Sequence, residues 1–165
     1  MSQNKYPSAK DHAAAADIYG SNVQKNTPDQ RELEAHVLLK SAKFLTTLQD
    51  DWDNVTPEIL EETLKYNRQI WMMFYDTALE NTEGDRPNDL RSNIINLANF
   101  VFKRELDILG NPEKDKINVL ININREIAAG LMSNQNSVPP EDKTEQRKAT
   151  DTKKPPEGGS TITSA

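Results

Sequence analysis

Apolar residues recur at helical spacing through most of the first 132 residues, and this pattern predicts four long helices. Steps that alternate between three and four residues place side chains on one face of a helix. The first long helix opens at the cap signal Thr27-Pro28, where Gln30 completes a capping box, and is expected to end at about residues 49–51. Its predicted buried face consists of Ala35, Leu38, Ala42, Leu45 and Leu48.

The second long helix opens at Thr56-Pro57 and should run to about Leu79, while the third should begin at Pro87 and stop at Gly110. The third has two adjoining apolar stripes, and so wide a face is typical of a central helix that contacts neighbours on both sides. One stripe is Leu90, Ile94, Leu97 and Val101; the other is Ile95, Ala98, Phe102, Leu106 and Leu109.

The fourth long helix is predicted to open at Asn111-Pro112-Glu113 and to run to about Gly130 or Leu131. Alternating strand patterns bounded by turns are absent from the sequence. We therefore predict an all-α fold, an antiparallel bundle of about four main helices joined by short loops.

The two ends of the chain have a different character. Residues 1–26 form an N-terminal segment in which residues 13–19 are a candidate short helix that docks through Ile18 and Tyr19. Residues 27–132 form the helical domain. Residues 133–165 are rich in Pro, Gly, Ser and Thr, with Val138 and Ile162 as the large apolar side chains, so burial there cannot offset the entropy cost of ordering. We predict a disordered tail.

Two asparagines interrupt apolar stripes. Asn67 lies on the stripe of the second helix that includes Leu64 and Trp71, and Asn124 lies between Leu120 and Ile127 on the fourth. A buried amide costs stability unless it is hydrogen-bonded. Two interpretations follow: the amides join the second helix to the fourth and fix their register, or they meet polar groups on a partner.

Three further residues of the second and third helices are candidates for contact. Trp71 shares the apolar stripe, which favours core packing, whereas Tyr75 falls off it and could belong to an exposed contact surface. Arg91 lies in the first turn of the third helix, where the helix dipole disfavours a cation. Such a charge indicates a specific partner, either a carboxylate of this chain or one on another chain.

Charge and composition exclude several classes of protein. The net charge of −6 and the pI of about 5.0 disfavour a nucleic-acid surface, which needs clustered Lys and Arg. Cysteine is absent, and neither a secretory signal nor an apolar stretch of transmembrane length is visible. We expect a soluble, cytoplasmic protein without membrane association.

Candidate catalytic and metal-binding residues do not form a recognisable site. His12 falls in a weakly patterned start and His36 on an exposed face, so we predict surface histidines. Asp51, Asp53 and Glu62 have part of the spacing of a calcium loop, but Val55 and Thr56 occupy the positions that need a ligand and a glycine. Glycine-rich phosphate loops and Glu-x-x-His motifs are missing. We expect no cofactor, no metal and no enzymatic activity.

Four segments, taken in order, form a recognisable set: residues 27–34, 66–71 and 90–98, and residues 120–127 followed by Gly130-Leu131. Together they resemble the FlaF family of flagellar biosynthesis regulators of alphaproteobacteria. The resemblance implies a cytoplasmic, non-enzymatic helical protein that promotes flagellin production after transcription. Flagellin, contacted much as an export chaperone contacts its client, and the translational regulator FlbT are the implied partners.

The physical reading and the resemblance together predict a helix-in-groove binding protein for flagellin. The alternative is control of translation, through direct binding of flagellin mRNA or through FlbT. Oligomeric state is not predicted. The predicted partner-binding residues are Asn67, Arg68, Trp71, Tyr75, Arg91 and Asn124.

Overall fold

The computed structural model describes residues 4–20, 28–80 and 88–133, and within these ranges every regular element is helical. The elements are α1 (Ala9–Gly20), α2 (Pro28–Asp50), α3 (Pro57–Glu80), α4 (Asn88–Gly110) and α5 (Ile117–Ser133). Short 3₁₀ turns precede α3 (Trp52–Asn54) and α5 (Lys114–Lys116). The predicted all-α helical fold is confirmed.

The bounds of α2, α3 and α4 agree with the predicted helices to within a residue or two. Proline occupies the first position of both α2 and α3, and Thr56 Oγ1 accepts a hydrogen bond from the Ile59 backbone N–H at 3.2 Å. The predicted cap at Thr27 lies outside the described residues. The last helix begins later than predicted, because residues after Pro112 first form the 3₁₀ turn and α5 starts only at Ile117.

The four long helices form a ring that is open on one side. Helix α2 packs along both α5 and α3, and α3 packs along α4, whereas α4 and α5 make no comparable contact with each other over their described lengths. Neighbouring helices are antiparallel; for example, Gln49 near the end of α2 donates to Asn118 near the start of α5, at 2.8 Å.

The prediction that the third long helix is central is wrong. Helix α4 packs closely against α3 and makes no comparable contact with any other described helix, so part of its wide apolar surface remains in solvent. Leu90 is 46% exposed and Leu106 is 66% exposed, and from the second predicted stripe only Ala98 is buried. The other long helices bury the residues expected of them, including Leu38 and Leu45 of α2, and Leu64 of α3.

The N-terminal helix α1 is longer than predicted and docks across α2 and α3. Ala15 is fully buried and Ile18 is half-buried against the core, while the side chain of Tyr19 lies outside the described set. Asp11 anchors α1 to Lys40 of α2 at 2.5 Å. Partial burial opposes ionisation of Asp11, but hydrogen bonds from Lys40 and Ser8 outweigh it and lower its pKa to about 2.

The helical domain ends, in the described part of the chain, with α5 at Ser133, and the predicted disordered tail lies beyond it, outside the described residues. Among the described helices, none combines the length and the apolar character needed to cross a bilayer.

Candidate binding groove and buried polar layer

A buried polar layer crosses the middle of the bundle, and each long helix contributes one side chain to it: Ser41, Asn67, Glu105 and Asn124. Asn67 Oδ1 accepts from Ser41 Oγ at 2.8 Å and from Asn124 Nδ2 at 2.7 Å. Asn67 Nδ2 donates to Glu105 Oε1 at 2.7 Å. Because all four side chains are at most 1% exposed, these bonds replace those that water would otherwise provide.

Two larger side chains of α3 extend the layer in opposite directions. Trp71 Nε1 donates to Asn124 Oδ1 at 2.9 Å, so the layer fixes the orientation of the indole ring. Arg68 Nε donates to Glu105 Oε2 at 3.0 Å and its side chain reaches solvent, with 30% exposure. The layer therefore connects the interior of the bundle to the surface beside α3 and α4.

Glu105 is the only ionisable member of the four-residue layer. Burial raises the pKa of Glu105 to about 7, although the hydrogen bond from Asn67 and the nearby Arg68 guanidinium act in the opposite direction. Both carboxyl oxygens accept from a donor, which is the arrangement that suits the ionised form. Burial thus favours the protonated form of this carboxyl, whereas its hydrogen bonds favour the ionised form.

An apolar groove lies on the open side of the ring, between the first half of α4 and the last half of α5. It encloses a volume of about 270 Å³. Trp71 and Phe74 of α3, both almost fully buried, form its floor. The walls are Leu90, Ile94 and Leu97 on α4 and Ile127, Gly130 and Leu131 on α5, with Arg31 and Glu126 also lining it.

Trp71 is part of both the buried polar layer and the apolar groove. Its indole N–H is fixed by Asn124 inside the layer, and its ring forms part of the floor of the groove. The ring of Phe74 lies 5.7 Å away, centroid to centroid, so the two aromatic side chains pack as a unit beneath the opening. A hydrogen-bonded interior therefore supports a preformed apolar depression.

The structure places the six predicted partner-binding residues in two groups. The first group lies inside the bundle and consists of Asn67, Trp71 and Asn124. The two asparagines join α3 to α5, in agreement with the first of the two interpretations of the sequence. Arg68, Tyr75 and Arg91 are half-buried. Tyr75 packs edge-on against Phe102 of α4, with ring centroids 6.1 Å apart.

Arg91 has a partner that neither interpretation of the sequence foresaw. Its Nε donates to the backbone carbonyl of Ala78 at 2.8 Å, and Nη2 lies 3.5 Å from the carbonyl of Leu79. These carbonyls belong to the last turn of α3, which contains no basic residue of its own. Arg91 therefore supplies the positive charge that the end of α3 lacks.

Glu105 and Ser41 are the members of the layer that sequence reasoning missed. The signal was present, because Glu105 lies four residues after Val101 and three before Ile108, both fully buried. Ser41 lies three residues after Leu38 and four before Leu45, which are also fully buried. A search for polar residues at core positions on every helix, instead of two, would have found all four.

The prediction for His12 is also corrected. His12 lies in α1, half-buried against α3, with Nδ1 2.6 Å from Gln69 Oε1 and Nε2 2.5 Å from Glu62 Oε1. Gln69 returns a hydrogen bond to the backbone carbonyl of His12 at 2.9 Å. The histidine thus helps to dock α1. His36 is exposed, as predicted.

The fold is a helical bundle with an apolar groove on its open side. A family model described as flagellar protein FlaF matches residues 15–131, which include every residue of the layer and the groove. The chain therefore belongs to the FlaF family and is a flagellar protein. Neither the curated proteins nor the solved structures include a match to it.

Proposed function

We propose that this protein binds flagellin as a chaperone-like adaptor and promotes flagellin synthesis or secretion after transcription, without catalysing a reaction. The observation that carries the proposal is the open apolar groove between α4 and α5. A groove with an aromatic floor and aliphatic walls suits the apolar face of an amphipathic helix. Terminal segments of flagellin before assembly would present such a face.

The shape of the groove supports a helical client. Leu90, Ile94 and Leu97 follow each other at helical spacing along one wall, and Ile127 and Leu131 do so along the other. Two antiparallel walls of this kind leave a groove of about 270 Å³, which has space for a few apolar side chains from one face of a client helix. Arg31 and Glu126 also line the groove and provide charges of both signs, which would fix the direction of the client by polar contact.

Charge favours this proposal over direct binding of flagellin mRNA. The region before the tail carries the whole net charge of −6, because residues 134–165 contain as many acidic as basic residues. An RNA-binding surface would have to overcome that repulsion with a basic patch. Among the described residues, the groove lining contains one cation, Arg31, and one anion, Glu126.

Gly130→Leu is the sharpest test, because it should fill the groove without damaging the fold. A Cβ at Gly130 would meet nothing within 4 Å, and replacing a helical glycine is expected to gain up to about 1 kcal/mol. Purified flagellin, titrated by calorimetry, should bind Gly130→Leu at least tenfold more weakly. Ala129→Leu adds a similar side chain at an exposed neighbour outside the lining and should bind like the parent.

A second pair of variants tests the opposite wall. Leu90→Gln removes an apolar contact from the groove, whereas Leu106→Gln makes the same change at a more exposed site of the same helix, outside the lining. Full burial of a leucine side chain contributes about 1.5–3 kcal/mol, and Leu90 has about half of its surface left to bury, so only Leu90→Gln should weaken binding, by about threefold to tenfold. Flagellin that binds all four variants equally, or does not bind the parent at tens of micromolar, would contradict the proposal.

A further inference from the structure

A second depression lies at the opposite end of the bundle, where the connection from α2 to α3 meets the end of α4. It encloses about 670 Å³. Trp52 and Leu109 are half-buried in its wall, so each keeps part of its apolar surface in solvent. Val55, Pro57 and Pro112 complete the apolar part of the lining.

The charged residues of this lining are all acidic. Glu58 and Glu61 lie one turn apart at the start of α3, and no Lys or Arg of the described chain lines the depression. Glu61 pairs with Arg68 at 3.9 Å, a long ion pair, and that guanidinium also donates to Glu105 at 3.0 Å, whereas no ion pair is recorded for Glu58 within the described chain. An occupant must therefore combine apolar surface with positive charge.

The depression is separate from the groove. On α3, the lining residues of the two surfaces that come nearest in sequence are Glu61 and Trp71, ten positions apart in one continuous helix, which corresponds to about 15 Å along its axis. The two surfaces also share no lining residue. A partner at one surface would leave the other accessible.

We propose that the Trp52 depression binds a basic amphipathic segment of a second protein, independently of what occupies the groove. Bulky aliphatic side chains of that segment would pack against the exposed apolar surface of Trp52 and Leu109. Lys or Arg residues on either side would pair with Glu58 and Glu61, and a cation above the Trp52 ring would add to the attraction. A second copy of this acidic chain is a poor occupant, because like charges would face each other.

The two tryptophans of the chain allow a direct test, since one lines each surface. The probe is a synthetic helical peptide of 14 residues with Leu and Arg on one face, and a peptide with Glu in place of Arg is the control. The indole N–H signals of full-length, nitrogen-15-labelled protein are followed by NMR during titration. The Trp52 signal, assigned with Trp52→Phe, should shift with the Arg peptide and remain in place with the Glu peptide.

A charge-matched pair of variants locates the contact. The double variant Glu58→Gln/Glu61→Gln should weaken binding, read from the Trp52 signal, at least fivefold. The double variant Glu32→Gln/Asp76→Asn removes the same charge from exposed positions outside the lining and should leave the affinity unchanged. An equal loss in both double variants, a shift confined to the Trp71 signal, or no Trp52 shift at millimolar peptide would each overturn the proposal.

Discussion

Asn67 bonds side chains from three other helices, which makes it the centre of the polar layer. Its amide oxygen accepts two hydrogen bonds and its nitrogen donates one, so most of its capacity is used. Shifting any of the four helices by one residue would leave several buried groups without partners, at a cost of about 1–3 kcal/mol each. The layer therefore favours one helix register over others that an apolar core would tolerate.

The pH dependence of stability should reveal Glu105. Burial raises its folded pKa to about 7 from the ordinary 4.5, so the native state binds more protons than the unfolded state between these values. The free energy of unfolding should therefore fall as pH rises from about 4.5 to 7, by up to about 3 kcal/mol from this group. The glutamine in Glu105→Gln cannot titrate. The variant's free energy of unfolding, measured by urea titration from pH 5 to 7.5, should therefore lack the fall that Glu105 causes.

Other shifted carboxyls do not interfere with that measurement. The pKa of Asp51 is lowered to about 2 by hydrogen bonds from Lys5, Asn54 and Tyr6, and that of Asp11 is also about 2. The stability that these two groups contribute is present above pH 3.8 and is lost only as pH falls toward 2. If the free energies of unfolding of the parent and of Glu105→Gln vary in parallel between pH 5 and 7.5, then the folded protein does not raise the pKa of Glu105.

At the scale of the elements, the end of α3 depends on a residue that belongs to α4. The first turn of a helix is an unfavourable place for a cation within that helix, but Arg91 there reaches the last carbonyls of the antiparallel neighbour. The cost to α4 is a few tenths of a kcal/mol, while two carbonyl groups of α3 gain a partner. The same contact positions the start of α4, and with it Leu90 on the wall of the groove.

Arg91→Ala should loosen the end of α3. We expect a loss of about 0.5–1.5 kcal/mol in the free energy of unfolding, because the hydrogen bond to Ala78, the longer one to Leu79 and one favourable dipole interaction disappear. Amides of residues 77–80 should exchange faster with deuterium. Arg91→Lys, which keeps the charge but not the planar fork, should give an intermediate result.

Arg104→Ala is the matched control on the same helix. Arg104 pairs with Asp107 at 3.4 Å on the surface, a contact of the kind that contributes less than about 1 kcal/mol. This variant should leave hydrogen exchange at 77–80 unchanged. Equal exchange in the parent and in Arg91→Ala would show that Arg91 does not cap α3.

At the scale of the whole molecule, the groove results from the incomplete ring of helices. Three of the four contacts that would close the ring are made, and the missing one leaves Trp71 and Phe74 beneath an opening. Side chains on both walls keep apolar surface that a closed bundle would bury. Burial of this apolar surface would be favourable, and in the free protein it does not occur. A client helix that packed on the two walls would provide that burial.

Truncation after Ser133 should leave the thermal midpoint unchanged to within about 2 °C, which corresponds to less than about half a kcal/mol for a domain of this size. The reason is that residues 134–165 are rich in Pro, Gly, Ser and Thr, so burial of their few large apolar side chains cannot offset the entropy cost of ordering. Differential scanning calorimetry of the full chain and the truncated chain measures this. A midpoint lowered by several degrees would mean that residues 134–165 pack against the helical domain.

Much of the fold could be predicted from the sequence, because its signals act within single helices. Proline at Pro28 and Pro57 and the spacing of apolar residues located α2 and α3 and identified their buried faces, including Asn67. The resemblance to the FlaF family also rests on local segments, and the family match confirms it. Local order along the chain is sufficient for each of these conclusions.

Only the tertiary structure decided which faces meet. Periodicity shows that α4 has a wide apolar face, but whether that face is buried depends on the helices that lie beside it, and α4 has one close neighbour in place of two. Likewise, the position of Asn67 on a stripe predicts burial without naming Glu105, Ser41 or Asn124 as its partners. Helix formation is a local property of the chain, whereas hydrogen-bond partners and an open groove are set by packing between segments far apart in sequence.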